Sequence, residues 1–212
     1  TKTLYNENSL IGRLHKYFLA YFETFSVPTA ETLFLLVLSI LALESAHSIR
    51  FLYQHFLAGI TEKSLNTFYH ACSYAKADYS RFMNVTAKIA LHLISEQLKS
   101  QPVFLCIDDT MISKFGTKFE NASKLFDHAA HNGCNYLNGH CFVSLMLCVP
   151  VWNHDKISYL AVPLGYRMWQ KKESKLELAA SMVRQVMPEF SAQKNVIILC
   201  DSWYTKQNLV SI

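Results

Sequence analysis

Glycine, charge and long apolar runs are all scarce in this chain, and each scarcity removes a class of function. There are six Gly among 212 residues and no Gly-rich loop to cradle phosphates, which argues against nucleotide-binding folds built on such loops. Charged residues make up 17% of the chain while 51% is hydrophobic, a balance that fills a core and excludes an extended disordered protein. The most apolar segment, Leu33 to Leu43, is bounded by Glu31 and Glu44. It is too short for the ~20 apolar residues of a spanning helix, so a buried core helix and no membrane partner are expected. The first residues are polar and aromatic, not basic then apolar, and no secretory signal is read there. The six Cys show no paired spacing. Cys106, Cys148 and Cys200 lie in apolar strand-like runs, where Cys behaves as a small hydrophobe. Reduced thiols and a cytoplasmic compartment follow as expectations. The net charge of +4 is compatible with a nucleic-acid partner without arguing for one.

What is present divides the chain in two. Residues 1–100 read as helical. Leu10, Leu14, Phe18, Tyr21 and Phe22 recur at helical spacing, and Thr29 is a candidate cap for a helix that carries the apolar run to about Leu57. Gly59 offers a stop, Thr61 can cap a shorter helix to about Ser73, and Asp78 a last one with Ala87, Ala90, Leu91, Ile94 and Leu98 on its apolar face. Ser48 to Cys72 has a helix-turn-helix outline. Its second helix would present Lys63, Ser64, Asn66, Thr67 and His70, side chains able to reach bases and phosphates. An ordinary helical hairpin has the same outline. Residues 101–212 change character: a strand from Val103, a Lys-bearing connection (Lys114, Lys118, Lys124), an apolar run Cys141 to Val149, a turn within Pro150 to Asp155, a strand Ile157 to Leu164, an amphipathic helix Ser174 to Met187 and a strand Val196 to Cys200. This order predicts an α/β fold.

Two of those strands run straight into acid: Ile107-Asp108-Asp109-Thr110 and Leu199-Cys200-Asp201-Ser202. If the strands are parallel neighbours, their carboxylates emerge at one edge of the sheet, where open sheets bind ligands. Carboxylates held together repel unless a divalent cation lies between them, and oxygen donors with open positions suit Mg²⁺ or Mn²⁺. Strand-terminal Asp also serves as a plain cap or turn former. His128, His131, Cys134, His140 and Cys141 are zinc-ligand types without a matching zinc spacing; a polar loop whose His and Asn touch phosphates is the commoner meaning. Ser144 and Ser158 lack the glycine elbow of a hydrolase nucleophile.

Ile107-Asp108-Asp109-Thr110, the His131-Asn132-Gly133 loop leading to Gly139-His140, Val162-Pro163-Leu164-Gly165-Tyr166 and Leu199-Cys200-Asp201-Ser202-Trp203-Tyr204 together resemble the DDE transposases of bacterial insertion sequences, in the group with a Tyr-Arg-Glu-Lys signature. The resemblance covers roughly residues 100–212. It implies an RNase H-like mixed sheet with flanking helices, preceded by a helical region that binds the element's terminal inverted repeats. It implies Asp109 and Asp201 as catalytic metal ligands for Mg²⁺ (or Mn²⁺), with Asp108 and Thr110 as supporting neighbours. Lys114, Lys118, Lys124, His131 and Arg167 become candidate contacts to double-stranded DNA, both terminal repeat and target, and a homodimer on paired ends is implied. The third acidic residue and its signature are absent from the sequence, and Glu173 and Glu177 precede Asp201 in the wrong topological place. The expectation is therefore an N-terminal part of a transposase that cannot complete its metal site alone. The alternatives are a non-catalytic DNA-binding product and a related metal-dependent nuclease.

Overall fold

A computed structural model describes residues 9–44, 48–76, 78–116, 118–126, 135–193, 195–201 and 204. The chain is mixed α/β and forms two compact units, Thr1–Val85 and Thr86–Ile212. The division falls inside a helix, earlier than the expected boundary near residue 100. No helix among the described residues is long and apolar enough to cross a membrane.

In the first unit every described element is helical. Helix α1 (Leu10–Phe22) begins at Ser9, whose hydroxyl accepts from the Gly12 amide at 3.0 Å. Helix α2 (Val27–Leu43) begins at Ser26, not at Thr29. Pro28 is tolerated in its first turn because the amide it lacks would have had no helical partner. The helix does not continue to Leu57. It stops where Glu44 turns left-handed (φ 51°), and Ser48 then caps a new run of α3 (Ile49–Leu52), a π-helical turn (Tyr53–Leu57) and α4 (Ala58–Ile60). The next helix, α5 (Leu65–Tyr74), starts after Ser64 and not at Thr61. The intervening residues are extended, with the Lys63 amide donating to the Thr61 hydroxyl at 3.3 Å. Leu35, Leu36, Leu52, Leu57 and Phe68 form the core that joins α2, the π turn and α5.

Helix α6 (Tyr79–His92) starts at Asp78, whose carboxylate accepts from the Arg81 amide at 3.1 Å. Ala87, Ala90, Leu91, Ile94 and Leu98 are all buried, but the expected single helix stops at His92, so Ile94 lies beyond it and Leu98 in a separate 3-10 turn, Glu96–Leu98.

The second unit is built on a five-stranded mixed sheet: β1 (Val103–Ser113), β2 (Ser123–Phe126), β3 (Tyr136–Asn153), β4 (Lys156–Met168) and β5 (Val196–Cys200). β3 lies antiparallel to β1 on one edge and to β2 and β4 on the other, and β5 lies parallel beside β1. The β3–β4 hairpin is longer than its sequence suggests. Pro150 does not begin a turn but pairs with Tyr159, and the strands close at Asn153 and Lys156. The turn is His154-Asp155, both left-handed (φ 45° and 61°), the two-residue geometry whose twist matches that of a hairpin. Gly139 pairs with both Ser113 of β1 and Ser123 of β2. A Cβ there would stand 2.2 Å from the Ile112 carbonyl oxygen, so the close approach of β1 and β3 needs glycine.

Helix α7 (Lys175–Val186) connects β4 to β5. Ser174 and Glu177 form a capping box at its start, and Leu176, Ala179, Met182, Val183 and Val186 are buried. Side chains alternate along a strand. One alternating set, Val103, Leu105 and Ile107 with Val143, Leu145 and Leu147, is buried, and Asp109 continues that row.

Candidate functional site

The parallel ladder between β1 and β5 ends at Ile107 and Cys200. The two acidic stretches begin at the next residue on each strand. They do not end β1, as the sequence suggests: that strand runs on through Asp108, Asp109 and Thr110 to Ser113, held among the described residues by β3 alone. Asp109 pairs with Val143 and Asp108 with Ser144, so the two neighbours occupy opposite faces.

Asp109 and Asp201 line one cavity of about 620 Å³, together with Met111, Lys124, Leu125, Phe126, Trp169, Lys171, Ser174, Lys175 and Tyr204. Asp108 and Thr110 are exposed on the opposite face. Asp108 accepts from the Asp109 amide at 2.8 Å, and its carbonyl accepts from the Ser144 hydroxyl at 3.1 Å. These bonds brace the strand. Thr110 shares the face of Asp108 and so stands away from the cavity.

The Asp109 carboxylate is surrounded by donors. Lys175 Nζ lies 2.6 Å from Oδ2, the Cys141 thiol donates to Oδ2 at 3.4 Å, and the Tyr204 hydroxyl donates to Oδ1 at 3.1 Å. Burial pushes the Asp109 pKa up, but the hydrogen bond and charge of Lys175, helped by Cys141 and Tyr204, outweigh it and hold the carboxyl below its ordinary value. For Lys175 the balance is the mirror image: burial lowers its pKa, and the Asp109 hydrogen bond and charge outweigh that and leave it above the ordinary lysine value. Burial pushes the Cys141 thiol up against the pull of Lys175. Burial, and then the Asp109 charge, raises the Tyr204 phenol far above its ordinary value. At neutral pH the cluster is one carboxylate, one ammonium and two neutral donors.

Three lysines, Lys124, Lys171 and Lys175, line this cavity. Lys124 sits 4.4 Å from the centre of the Tyr136 ring, and Lys171 donates to the Lys124 carbonyl at 3.2 Å. Lys171 and Lys175 lie 5.9 and 5.4 Å from the centre of the Trp169 ring. Two carboxylates among lysines and aromatic walls can hold a hard cation that keeps most of its positions for water or phosphate. They do not make a closed protein cage: no group of three His, Cys, Asp or Glu that could hold a metal ion is found among the described residues. Glu177 is committed to the helix cap.

The other expected residues are dispersed. Lys114 lies 5.5 Å from the Phe119 ring centre, and Lys118 is exposed in the same connection. Arg167 points to α7, where it donates to Ser181 and Gln185. His140 contacts the Glu120 carbonyl through Nε2 at 2.8 Å, and Cys141 belongs to the Asp109 cluster. His128, His131 and Cys134 lie outside the described residues. In the first unit, Asn66, Thr67 and His70 are on α5, with Asn66 and His70 exposed. Lys63 and Ser64 precede the helix and do not belong to its polar face. Sequence reasoning missed Lys175, Lys171, Trp169, Cys141 and Tyr204 as a set. Only Lys175 carries a local signal: a cation in the first turn of a helix, where the dipole favours anions.

Compared with known proteins, the chain matches no family model, no curated protein and no solved structure.

Proposed function

We propose that this chain acts on DNA as part of a DDE-type transposase, with an RNase H-like catalytic region and a helical region that binds terminal inverted repeats in the cytoplasm. The observation that carries the reading is the meeting of Asp109 and Asp201 in one cavity, just past the last paired residues of the parallel strands β1 and β5. The strand order supports it too. β4, β3 and β1 form an antiparallel series, and β5 joins parallel to β1 after the α7 crossover, which is the arrangement an RNase H-like core requires.

In this reading Asp109 and Asp201 are ligands for Mg²⁺ or Mn²⁺, whose role when bound is to activate the attacking oxygen and stabilise the leaving one at a phosphodiester. Asp109 is ionised at neutral pH, as a ligand must be. Lys124 and Lys171 meet DNA phosphates at the cavity, and the Trp169 ring forms an apolar wall beside them. Asn66, Thr67 and His70 on α5 meet the repeat, and two copies act on paired ends.

Fluorescence anisotropy with a labelled duplex tests the DNA part. The 212-residue chain is expected to bind with an affinity that falls as salt rises, and Lys124→Ala or Lys171→Ala to reduce that log–log slope by about one. Salt-independent binding, or none to any duplex, would sink the reading. A non-catalytic DNA-binding protein is the second reading. It is favoured by the Lys175–Asp109 ion pair, which already neutralises the first carboxylate. The two separate on Mn²⁺ binding: the enzyme reading requires it to be lost in Asp109→Asn and Asp201→Asn.

A further inference from the structure

We infer that Lys175 is a cation placeholder: its ammonium occupies Asp109 Oδ2, a position that a divalent cation would take, so a metal at the Asp109–Asp201 pair competes with Lys175 for that oxygen. This rests on the reading of those two residues as a metal pair.

Lys175 Nζ lies 2.6 Å from Asp109 Oδ2. A divalent cation on the same oxygen would stand beside that ammonium, and the repulsion between the two positive charges would make them compete for Oδ2. The other two donors do not compete in this way. The Tyr204 hydroxyl and the Cys141 thiol are neutral, and the hydroxyl contacts Oδ1, not the oxygen that Lys175 occupies. Lys175 is thus the one charged donor among the described contacts of Asp109.

Its position on α7 makes it displaceable. It is the first residue of the helix, where the dipole disfavours a cation, so the carboxylate contact opposes a local cost. Its four-carbon stem gives it reach, and the Trp169 ring centre is already 5.4 Å from Nζ, offering an aromatic face on which a lysine can rest. The cavity also leaves room for an anion. A DNA phosphate drawn in by Lys124 and Lys171 would give the ammonium a second partner and free Oδ2. Metal affinity and DNA binding are then coupled through one side chain, and each raises the other.

Mn²⁺ binding to the 212-residue chain, read as loss of the free-ion paramagnetic resonance signal without DNA, tests this. Lys175→Met is expected to bind Mn²⁺ about tenfold more tightly than the native chain, and Lys175→Arg, which keeps the charge, to bind as the native chain does. The gain should disappear in the double variant Lys175→Met, Asp109→Asn. Adding duplex should tighten Mn²⁺ binding to the native chain and leave Lys175→Met unchanged. Thermal melts check the fold, with Lys175→Gln standing in if the Met variant is unfolded. If Lys175→Met binds no more tightly while Asp109→Asn still weakens the native chain, the placeholder idea is wrong and the metal pair stands. If no variant binds Mn²⁺, the metal pair itself is wrong and the placeholder falls with it.

Discussion

On one face of the sheet, Val103, Leu105 and Ile107 of β1 and Val143, Leu145 and Leu147 of β3 are at most 3% exposed, whereas on the other Ile197 and Leu199 of β5 remain 43% and 46% exposed, and Trp152 of β3 50%. The side chains are of the same kind, so hydrophobicity does not explain the difference. It follows which face packs beneath the apolar stripe of α7. The carboxylates obey the same division. Asp109 continues the buried row and enters a cluster of donors, while Asp108, one residue earlier, faces solvent. A shift of one residue along β1 would exchange their roles, because strand side chains alternate.

The largest expected effect tests the buried face against the open one. Leu105→Ala or Leu147→Ala should destabilise the protein by about 2–5 kcal/mol, the usual cost of a core cavity. Leu199→Ala on the open face should cost less than about 1 kcal/mol. Urea denaturation measures both. Equal losses would mean that the open face is covered in solution. Next comes Gly139→Ala, whose Cβ would press on the Ile112 carbonyl. A loss of about 1–3 kcal/mol is expected from overpacking, and a neutral result would show that β1 and β3 can separate at that end.

The sequence carried much of this frame, and the reasons for its failures are physical. The apolar run of β5, the Asp78 cap and the apolar stripe of α7 are local patterns, and each appears where the pattern puts it. Strand ends were not legible. β1 continues past Asp109 because β3, distant in the chain, pairs with it there, and β3 passes through Pro150 because its hairpin partner β4 pairs with it; in neither case does the strand's own propensity set its end. The break after Leu43 was missed because apolar periodicity continues across it, and Ser48 signals a new cap only once the break is known. Asp109 and Asp201 could be singled out from two apolar runs that end in acid. That Lys175, Cys141 and Tyr204 gather at Asp109 could not be read, since α7, β3 and the chain after β5 bring them there from separate parts of the sequence.

The cluster around Asp109 gives the next prediction. Asp109→Asn removes the charge that faces the half-buried Lys175 ammonium and should cost about 1–3 kcal/mol, between the values for surface and buried pairs. The pH dependence has a definite sign. The Asp109 pKa is lowered in the folded protein, so its contribution is full above the ordinary carboxyl value near ~3.9 and is lost as pH falls through the lowered one. The Lys175 pKa is raised, so its contribution is full below the ordinary lysine value near ~10.4 and is lost as pH rises through the raised one. Between those limits the pair should make stability flat with pH, and Lys175→Met should remove the alkaline loss. Denaturant midpoints across pH would show it; an alkaline loss that survives in Lys175→Met would assign it to another group.

The smallest expected effect is the one that separates the neighbouring acids. Asp108 is exposed, and its side chain accepts only the amide of the next residue in the described contacts. An asparagine can accept the same bond through its carbonyl oxygen, so Asp108→Asn should change stability by no more than about 0.5 kcal/mol and leave Mn²⁺ binding intact. Asp109→Asn should abolish that binding under the proposed function. The comparison removes one negative charge in each case, from adjacent residues of one strand, so a difference between them cannot come from net charge. It can come only from the face on which the carboxylate stands. If Asp108→Asn instead removed the metal and Asp109→Asn spared it, Lys175 and Asp109 would be a structural ion pair, and the reacting edge of the sheet would lie on the side away from α7.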